Sequence, residues 1–97
     1  MADFKYTRRA INDVNELIEY IARYSPYAAD DFANQLVAKF RTLAEAPRMG
    51  REREEFGAGI RMFPFGNYVI FCRLTATGVL IVRVLHGARD REATPFE

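Results

Sequence analysis

The chain has 97 residues, of which 49% are hydrophobic and 28% are charged, and this predicts one globular domain over residues 1–97. Its net charge is only +1, and basic and acidic residues are mixed in both halves, which excludes the basic stripe of a general nucleic-acid binder, so we expect no direct nucleic-acid specificity. A single cysteine excludes an internal disulfide, and the lack of a long apolar run or signal-peptide core predicts a cytoplasmic protein that does not enter membranes.

The first 22 residues have the pattern of a short strand followed by a helix. Residues 4–6, FKY, are strand-like, and Thr7 stands where the N-cap of a helix is expected. Beyond it, apolar residues recur every three or four positions, which is the spacing of a helix with one buried face. These residues are Ile11, Val14, Leu17, Ile18 and Ile21.

A second helix is predicted after a break at residues 23–27. Ser25 followed by Pro26 combines an N-cap with a first-turn proline. The helix is expected to run to about Ala46 and to stop at Pro47. Its apolar face comprises Ala29, Phe32, Ala33, Leu36, Phe40 and Leu43. Two apolar-striped helices with so short a connection favour an antiparallel helical hairpin.

The second half of the chain changes to strand periodicity after a charged connector, REREEFGAG. Residues 60–64, 68–74 and 79–86 are rich in Val, Ile, Phe and Tyr and are separated by turn residues. The fold class is therefore α+β, with an N-terminal helical hairpin packed on one face of a small three- to four-stranded antiparallel sheet, in which residues 4–6 are the optional fourth strand. The opposite sheet face is expected to be apolar and uncovered, as a partner site would be.

Residues that carry nucleophilic or metal chemistry are scarce. Ser25 is the only serine and is accounted for as a helix cap, while Cys72 and His86 are the only cysteine and histidine. One of each does not make a metal site, and the GAG at residues 57–59 lacks the lysine and the following helix of a phosphate loop. We therefore expect no catalytic residue, no metal and no cofactor.

The relative position of Cys72 and His86 depends on the turn between the last two strands. A loop of two or four residues puts the two side chains on opposite faces of the sheet, whereas a loop of three or five puts them on the same face. We favour the first, with Cys72 as a small buried hydrophobic residue and His86 as a packed strand-end residue. In that register Arg73 and Arg83 point to opposite faces and do not share a phosphate.

Several short motifs span almost the whole chain. They are YT at 6–7, Ala10, Asp13 and Ile18 in the first helix, FRTLAEAP at 40–47, GRERE at 50–54, Gly59, Arg61, YVIFCR at 68–73, Gly78 and RVLHGARD at 83–90. In this order they resemble the ParE toxins of the RelE/ParE superfamily of bacterial type II toxin–antitoxin systems, and the last motif is the most specific. Cys72 departs from the family, which often has tyrosine there, and we expect an effect on packing more than on activity.

The resemblance implies a function that composition does not. ParE-like toxins poison DNA gyrase and are sequestered by a cognate antitoxin, so it implies a hetero-oligomer with a ParD-like antitoxin. RelE-like relatives instead cleave mRNA on the ribosome with a basic cluster and commonly a C-terminal tyrosine, whereas here no tyrosine follows Tyr68 and no lysine follows Lys39. We favour a non-enzymatic, gyrase-directed toxin over an mRNA interferase, and a non-toxic antitoxin-binding relative is a third hypothesis.

Six residues are candidates for binding a partner. They are Arg61, Arg73, Arg83, His86, Arg89 and Phe96. Arginines around an apolar sheet face would attract an acidic antitoxin segment that folds on docking. An mRNA interferase would instead need Arg61, Arg83 and Arg89 to line one face beside the histidine. The last strand is expected to end at His86, with Gly87 adopting a turn conformation that other residues disfavour.

Overall fold

The computed structural model describes residues 2–87, which form two helices and a five-stranded sheet. In chain order the elements are β1 (Asp3–Tyr6), α1 (Arg8–Ala22), α2 (Pro26–Glu45), β2 (Arg51–Glu52), β3 (Arg61–Phe65), β4 (Tyr68–Leu74) and β5 (Gly78–His86). The strands lie in the order β1-β5-β4-β3-β2, and the α+β class is confirmed. Neither α1 nor α2 is long and apolar enough to cross a bilayer.

Both helices begin at the predicted caps. The hydroxyl of Thr7 accepts a hydrogen bond from the N–H of Ala10 at 3.0 Å, and the hydroxyl of Ser25 accepts one from the N–H of Ala28 at 3.1 Å. One residue predicted for the buried stripe is wrong, because Ile11 is 44% exposed. Ala10 is fully buried in its place, while Leu17 is buried as predicted, so only the first position of the stripe differs.

The sheet has five strands of mixed direction, so the prediction of three to four antiparallel strands is wrong in two respects. β1 runs parallel to β5, with Asp3 opposite Gly78 and Tyr6 opposite Ile81. The sequence of a four-residue strand does not reveal its direction. The direction of β1 depends on α1, which follows it directly and whose N-cap Thr7 donates its N–H to the carbonyl of Ile81 in β5. β2 is two charged residues paired with β3, too short and too polar to be recognised as a strand.

A hydrophobic layer lies between the helices and the sheet. Eight of the larger side chains of this layer are almost completely buried. They are Leu36, Phe40, Leu43, Ile70, Cys72, Val79, Ile81 and Val84. Complete burial of one large apolar side chain stabilises the fold by about 2 kcal/mol. The prediction that Cys72 is a buried hydrophobic residue is confirmed, since its side chain belongs to this layer.

The other face of the sheet is partly covered, so the prediction of a bare face is wrong. The connector between β2 and β3 folds back over it, so that Ile60 is fully buried and the ring of Phe56 packs on that of Phe71 with centroids 5.0 Å apart. The high charge of this connector conceals Phe56 in the sequence, and Ile60 was predicted as the first residue of a strand that begins instead at Arg61. Half-buried apolar residues remain on this face, namely Met62, Val69 and Leu80.

A β-bulge in β5 changes the face on which its residues lie. Near the turn the register follows the favoured four-residue loop, with Cys72 opposite Ile81. The next pair along β4 is Phe71 with Arg83, so Val82 is an extra residue in β5. Beyond this point the alternation of β5 against β4 is shifted by one residue.

The bulge overturns the predicted arrangement of Cys72 and His86. His86 lies opposite Tyr68, which alternates with Ile70 and Cys72 on the helix-covered face. The two side chains therefore lie on the same face of the sheet, not on opposite faces as predicted. They are still four positions apart along β4, a separation of about 13 Å at the rise of an extended strand. This distance excludes a Cys–His pair.

Gly78 stands where β1 joins the sheet. A side-chain carbon at this position would lie 1.7 Å from the carbonyl oxygen of Asp3, its partner in β1. We expect Gly78→Ala to lower the free energy of unfolding by about 2 kcal/mol or more, because the two strands must separate. Urea unfolding measures this, with Thr75→Ala in the adjacent exposed turn as the control. Equal midpoints for the two variants would contradict the close approach.

Candidate functional site

A groove runs between α1 and the outer end of β5, and we call it the α1–β5 groove. It encloses about 490 Å³. Its lining residues are Asp13, Glu16, Leu17, Glu19, Tyr20, Arg23, Tyr68, Arg83, Val84, Leu85 and His86. The groove exists because β1 ends at Tyr6, which pairs with Ile81, so that the rest of β5 has α1 beside it instead of a strand.

An ion pair joins the two walls of this groove. The carboxylate of Asp13 accepts hydrogen bonds from Nε and Nη2 of Arg83 at 2.7 and 2.9 Å, and from the backbone N–H of Val84 at 3.0 Å. The side chains of Arg83 and Asp13 are only 17% and 13% exposed. A bidentate pair so sheltered from water is geometrically well defined, and its carboxylate has three donors. The guanidinium of Arg83 is thus bound to α1.

Asp13 is the site residue that the sequence reasoning missed. It lies three residues after Ala10 and four before Leu17, so it shares the buried face of α1. A carboxylate on such a face is uncommon unless it is paired. Arg83 interrupts the apolar run of β5 in the same way. Two opposite charges, each within an apolar pattern, are the signal that would have joined these residues.

His86 lies at the end of the groove. Its ring meets that of Tyr68 edge-on, with centroids 5.5 Å apart, which agrees with the packed strand-end residue that was predicted. The role predicted for Gly87 is wrong, because it is not among the glycines with positive φ. Its N–H donates to the carbonyl of Asn67 at 2.9 Å, and a side-chain carbon would lie 3.3 Å from that oxygen. Gly87 therefore serves a close backbone approach.

Arg61 and Arg73 are bound away from the α1–β5 groove. Nε of Arg61 donates to the carbonyl of Gly50 at 2.9 Å, and its Nη1 lies 3.2 Å from the carboxylate of Glu52. Nε of Arg73 donates to the carbonyl of Ala58 at 3.0 Å. Each guanidinium thus stabilises the connector between β2 and β3 or its margins.

Of the six candidate residues, the groove brings together Arg83 and His86. Arg89 and Phe96 lie outside the described residues. Because the other two candidate arginines are bound on different elements, they do not surround a common phosphate position with Arg83. Within residues 2–87, no three His, Cys, Asp or Glu side chains are grouped so that they could hold a metal ion.

A second groove lies on the sheet face away from the helices, and we call it the far-face groove. It encloses about 390 Å³ and is lined by Arg53, Phe56, Met62, Val69, Phe71, Leu85, His86 and Gly87. Arg53 stands at its margin, where it contacts the sulfur of Met62 at 3.5 Å and pairs with Glu55 at 2.7 Å. The sequence predicted an apolar sheet face bordered by arginines as the antitoxin site. The far-face groove has side chains of both kinds, over a smaller area than predicted.

Comparison with known proteins gives consistent results for almost the whole chain. The profile of a family described as ParE toxin of type II toxin–antitoxin system, parDE, matches residues 4–91. Toxin ParE1 of Caulobacter vibrioides is 34% identical over 94 residues, which cover 96% of this chain and 97% of that protein. Toxin RelE1 of the same organism is 36% identical over 85 residues, covering 86% and 90%.

Two solved structures share the fold. One, described as a chromosomal ParDE toxin–antitoxin system from P. aeruginosa, superposes with a TM-score of 0.72 at 20% identity, covering 89% of this chain and 96% of that chain. The other is the RelBE2 toxin–antitoxin complex from Mycobacterium tuberculosis, with a TM-score of 0.62 at 26% identity, covering 88% and 96%. The first likeness supports the fold, and the second adds detectable sequence similarity.

The pair between Asp13 and Arg83 should contribute strongly to stability. We expect Asp13→Ala to lower the free energy of unfolding by about 3 kcal/mol, because a sheltered guanidinium and the Val84 N–H lose their acceptor. Asp13→Asn keeps an oxygen for the Val84 N–H and should lose less. Urea unfolding measures both variants. Glu55→Ala, which breaks the exposed pair with Arg53, is the control, and an equal effect of Asp13→Ala and Glu55→Ala would contradict this role.

Cys72 should be chemically inert while the protein is folded. Burial raises the pKa of its thiol to about 11 from the ordinary 9.0, against the opposing charge of Arg61. The thiol therefore stays protonated at pH 8, and the stability that comes with this is lost only as pH rises from about 9 to about 11. Iodoacetamide at pH 8 should label the native protein far more slowly than the urea-unfolded protein. Equal labelling rates would contradict the burial of this thiol.

Proposed function

Because the chain belongs to the ParE toxin family of type II toxin–antitoxin systems, we propose that it inhibits DNA gyrase by binding it and that a ParD-like antitoxin holds it inactive. The proposed mode of action is non-enzymatic and cytoplasmic. The functional form at rest is then a hetero-oligomer of toxin and antitoxin. The choice of gyrase as target comes from what the family resemblance implies, and the site geometry supports binding over catalysis.

The observation that carries the non-enzymatic part of the proposal is the ion pair that binds the guanidinium of Arg83 to Asp13. Its guanidinium is bound by both oxygens of Asp13 at 2.7 and 2.9 Å, so a phosphate would have to displace a carboxylate. An RNA-cleaving site needs cations directed at the charge that develops on the reacting phosphate. With Arg61 and Arg73 bound on other elements, such a cluster is not preassembled in the described residues.

The far-face groove is our proposed site for part of the antitoxin. Its half-buried Met62 and Val69 offer apolar surface, and Arg53 at the margin is held by an exposed pair with Glu55, which is weak enough to be exchanged for an acidic partner. An acidic segment that folds on docking would bury the apolar residues and pair with the arginine. Removal of the antitoxin is expected to expose this surface and to lower the solubility of the toxin.

A second function, ribosome-dependent mRNA cleavage, stays open because of two relatives. Toxin RelE1 and Toxin RelE2 of Caulobacter vibrioides are 36% and 35% identical to this chain over 86% and 92% of its length. Their names mark the other branch of the superfamily. For this chain the bound state of Arg83 and the lack of a tyrosine after Tyr68 favour the gyrase hypothesis.

A DNA supercoiling assay tests the proposal directly. Purified toxin should inhibit gyrase in a dose-dependent way, and equimolar antitoxin added beforehand should restore supercoiling, because binding is proposed to be the whole mechanism. A toeprinting assay on translated mRNA with the same toxin preparation is the companion measurement. Unimpaired supercoiling at a large molar excess of toxin, together with cleavage at the ribosomal A site, would replace the first function by the second.

A further inference from the structure

The end of the helical pair exposes an unusual number of aromatic side chains. Tyr20, Tyr24 and Tyr27 are 50%, 77% and 87% exposed, and they surround the connection between α1 and α2. We call Tyr20, Arg23, Tyr24 and Tyr27 the aromatic tip. Tyr20 and Arg23 also line the α1–β5 groove, so the tip is continuous with that groove.

The tyrosines of the tip do not contribute to the hydrophobic core. None of them belongs to the buried cluster between helices and sheet or packs against it. The rings of Tyr20 and Tyr24 meet edge-on with centroids 5.5 Å apart, and the hydrogen bond that the Tyr24 hydroxyl donates to Tyr20 raises the pKa of Tyr24, so its phenol is neutral at physiological pH. Tyrosines that are neutral and solvent-exposed are typical contact residues of protein interfaces.

The surroundings of the tip are acidic, in contrast to the rest of the chain. Residues 16–31 carry four acidic side chains and one basic one, Arg23, whereas the other 81 residues carry 13 basic and nine acidic side chains. Glu16 and Glu19 line the groove beside Tyr20. Asp30 and Asp31 follow Tyr27 by three and four positions and share its side of α2. The tip is therefore an aromatic surface bordered by carboxylates.

We propose that the aromatic tip is a second protein-binding surface, separate from the far-face groove, and that it accepts a lysine- or arginine-bearing segment of the toxin's protein target. A cation placed over a tyrosine ring is attracted by the ring, and a neighbouring carboxylate adds a charge-assisted hydrogen bond. The same carboxylates repel the phosphates of nucleic acids and the acidic antitoxin segment described above. Charge thus favours a basic target segment at the tip and disfavours the acidic antitoxin segment there.

This inference rests on the proposed function in one respect, namely that the chain has a protein target distinct from its antitoxin. The surfaces make different predictions for the two partners. Binding of a basic segment at the tip should weaken with rising salt, because the carboxylates at its margin are exposed and screened. It should also depend on the rings, which a purely electrostatic contact would not.

Two double variants test the tip. Tyr24→Ala with Tyr27→Ala removes the two most exposed rings, and Glu16→Lys with Glu19→Lys reverses the neighbouring charge. Each should weaken gyrase inhibition and growth arrest about tenfold or more, the loss typical of an interface hot spot. Antitoxin affinity, measured by calorimetry, should stay within about twofold, because the tip lies apart from the far-face groove and exposed charges outside an interface change its affinity little. The matched control is Met49→Ala with Leu74→Ala, which are 49% and 39% exposed away from the tip.

A peptide titration tests the same surface without a known target. A hexa-arginine peptide added to the toxin should shift amide resonances of residues 16–31, and hexa-glutamate should not. Tyr24→Ala with Tyr27→Ala should weaken the hexa-arginine binding at least about fivefold, because each ring supplies a cation–π contact.

The outcomes separate the two proposals. If wild-type toxin leaves gyrase active but still arrests growth, the gyrase target is wrong, and the tip is judged by growth arrest and the peptide. If the tip variants inhibit like the wild type, or lose antitoxin affinity instead, the proposed division of surfaces is overturned. Binding of hexa-arginine outside residues 16–31, or equal binding by the tyrosine variant, would overturn it as well.

Discussion

The carboxylate of Asp13 holds the first helix against the last strand, and much of the molecule depends on that contact. It binds the guanidinium of Arg83 and the N–H of Val84 together, so a single side chain of α1 both neutralises a charge and satisfies the edge of β5. Thr7 performs a related role six residues earlier, where its hydroxyl donates to the carbonyl of Val82 at 2.8 Å. With these contacts α1 takes the place of a further strand along β5, and both the groove and the direction of β1 follow from it.

The helices were readable from the sequence because their signals are local. Ser25 and Pro26 define the start of α2 within two residues, and the helix begins there. The sheet depends instead on contacts between distant residues: Asp3 meets Gly78, and the direction of their strands is fixed by the path of the whole chain. The bulge at Val82 leaves no local signature in an apolar run, so the alternation rule failed beyond it.

The candidate site was only partly predictable for a similar reason. His86 stood out as the only histidine and Arg83 was one of the candidate arginines, and they do meet in one groove. Their most important neighbour, Asp13, lies 70 residues from Arg83 in the chain. Arg61 was chosen by its residue type, but its hydrogen bond to the carbonyl of Gly50 shows a structural role that residue type does not reveal. Whether an arginine is available to bind another molecule therefore depends on its hydrogen-bond partners within the fold, more than on its residue type.

The bulge in β5 also bears on how this fold diverges among its relatives. It separates β5 into an inner half, paired with β1, and an outer half beside α1, each with its own alternation of inward and outward positions. Substitutions in the outer half can therefore remodel the groove without disturbing the pairing between β1 and β5. Loss or gain of one residue at Val82 would exchange inward and outward side chains in the outer half alone. A single-residue insertion or deletion is thus a route by which such a toxin could acquire a different recognition surface on an unchanged scaffold.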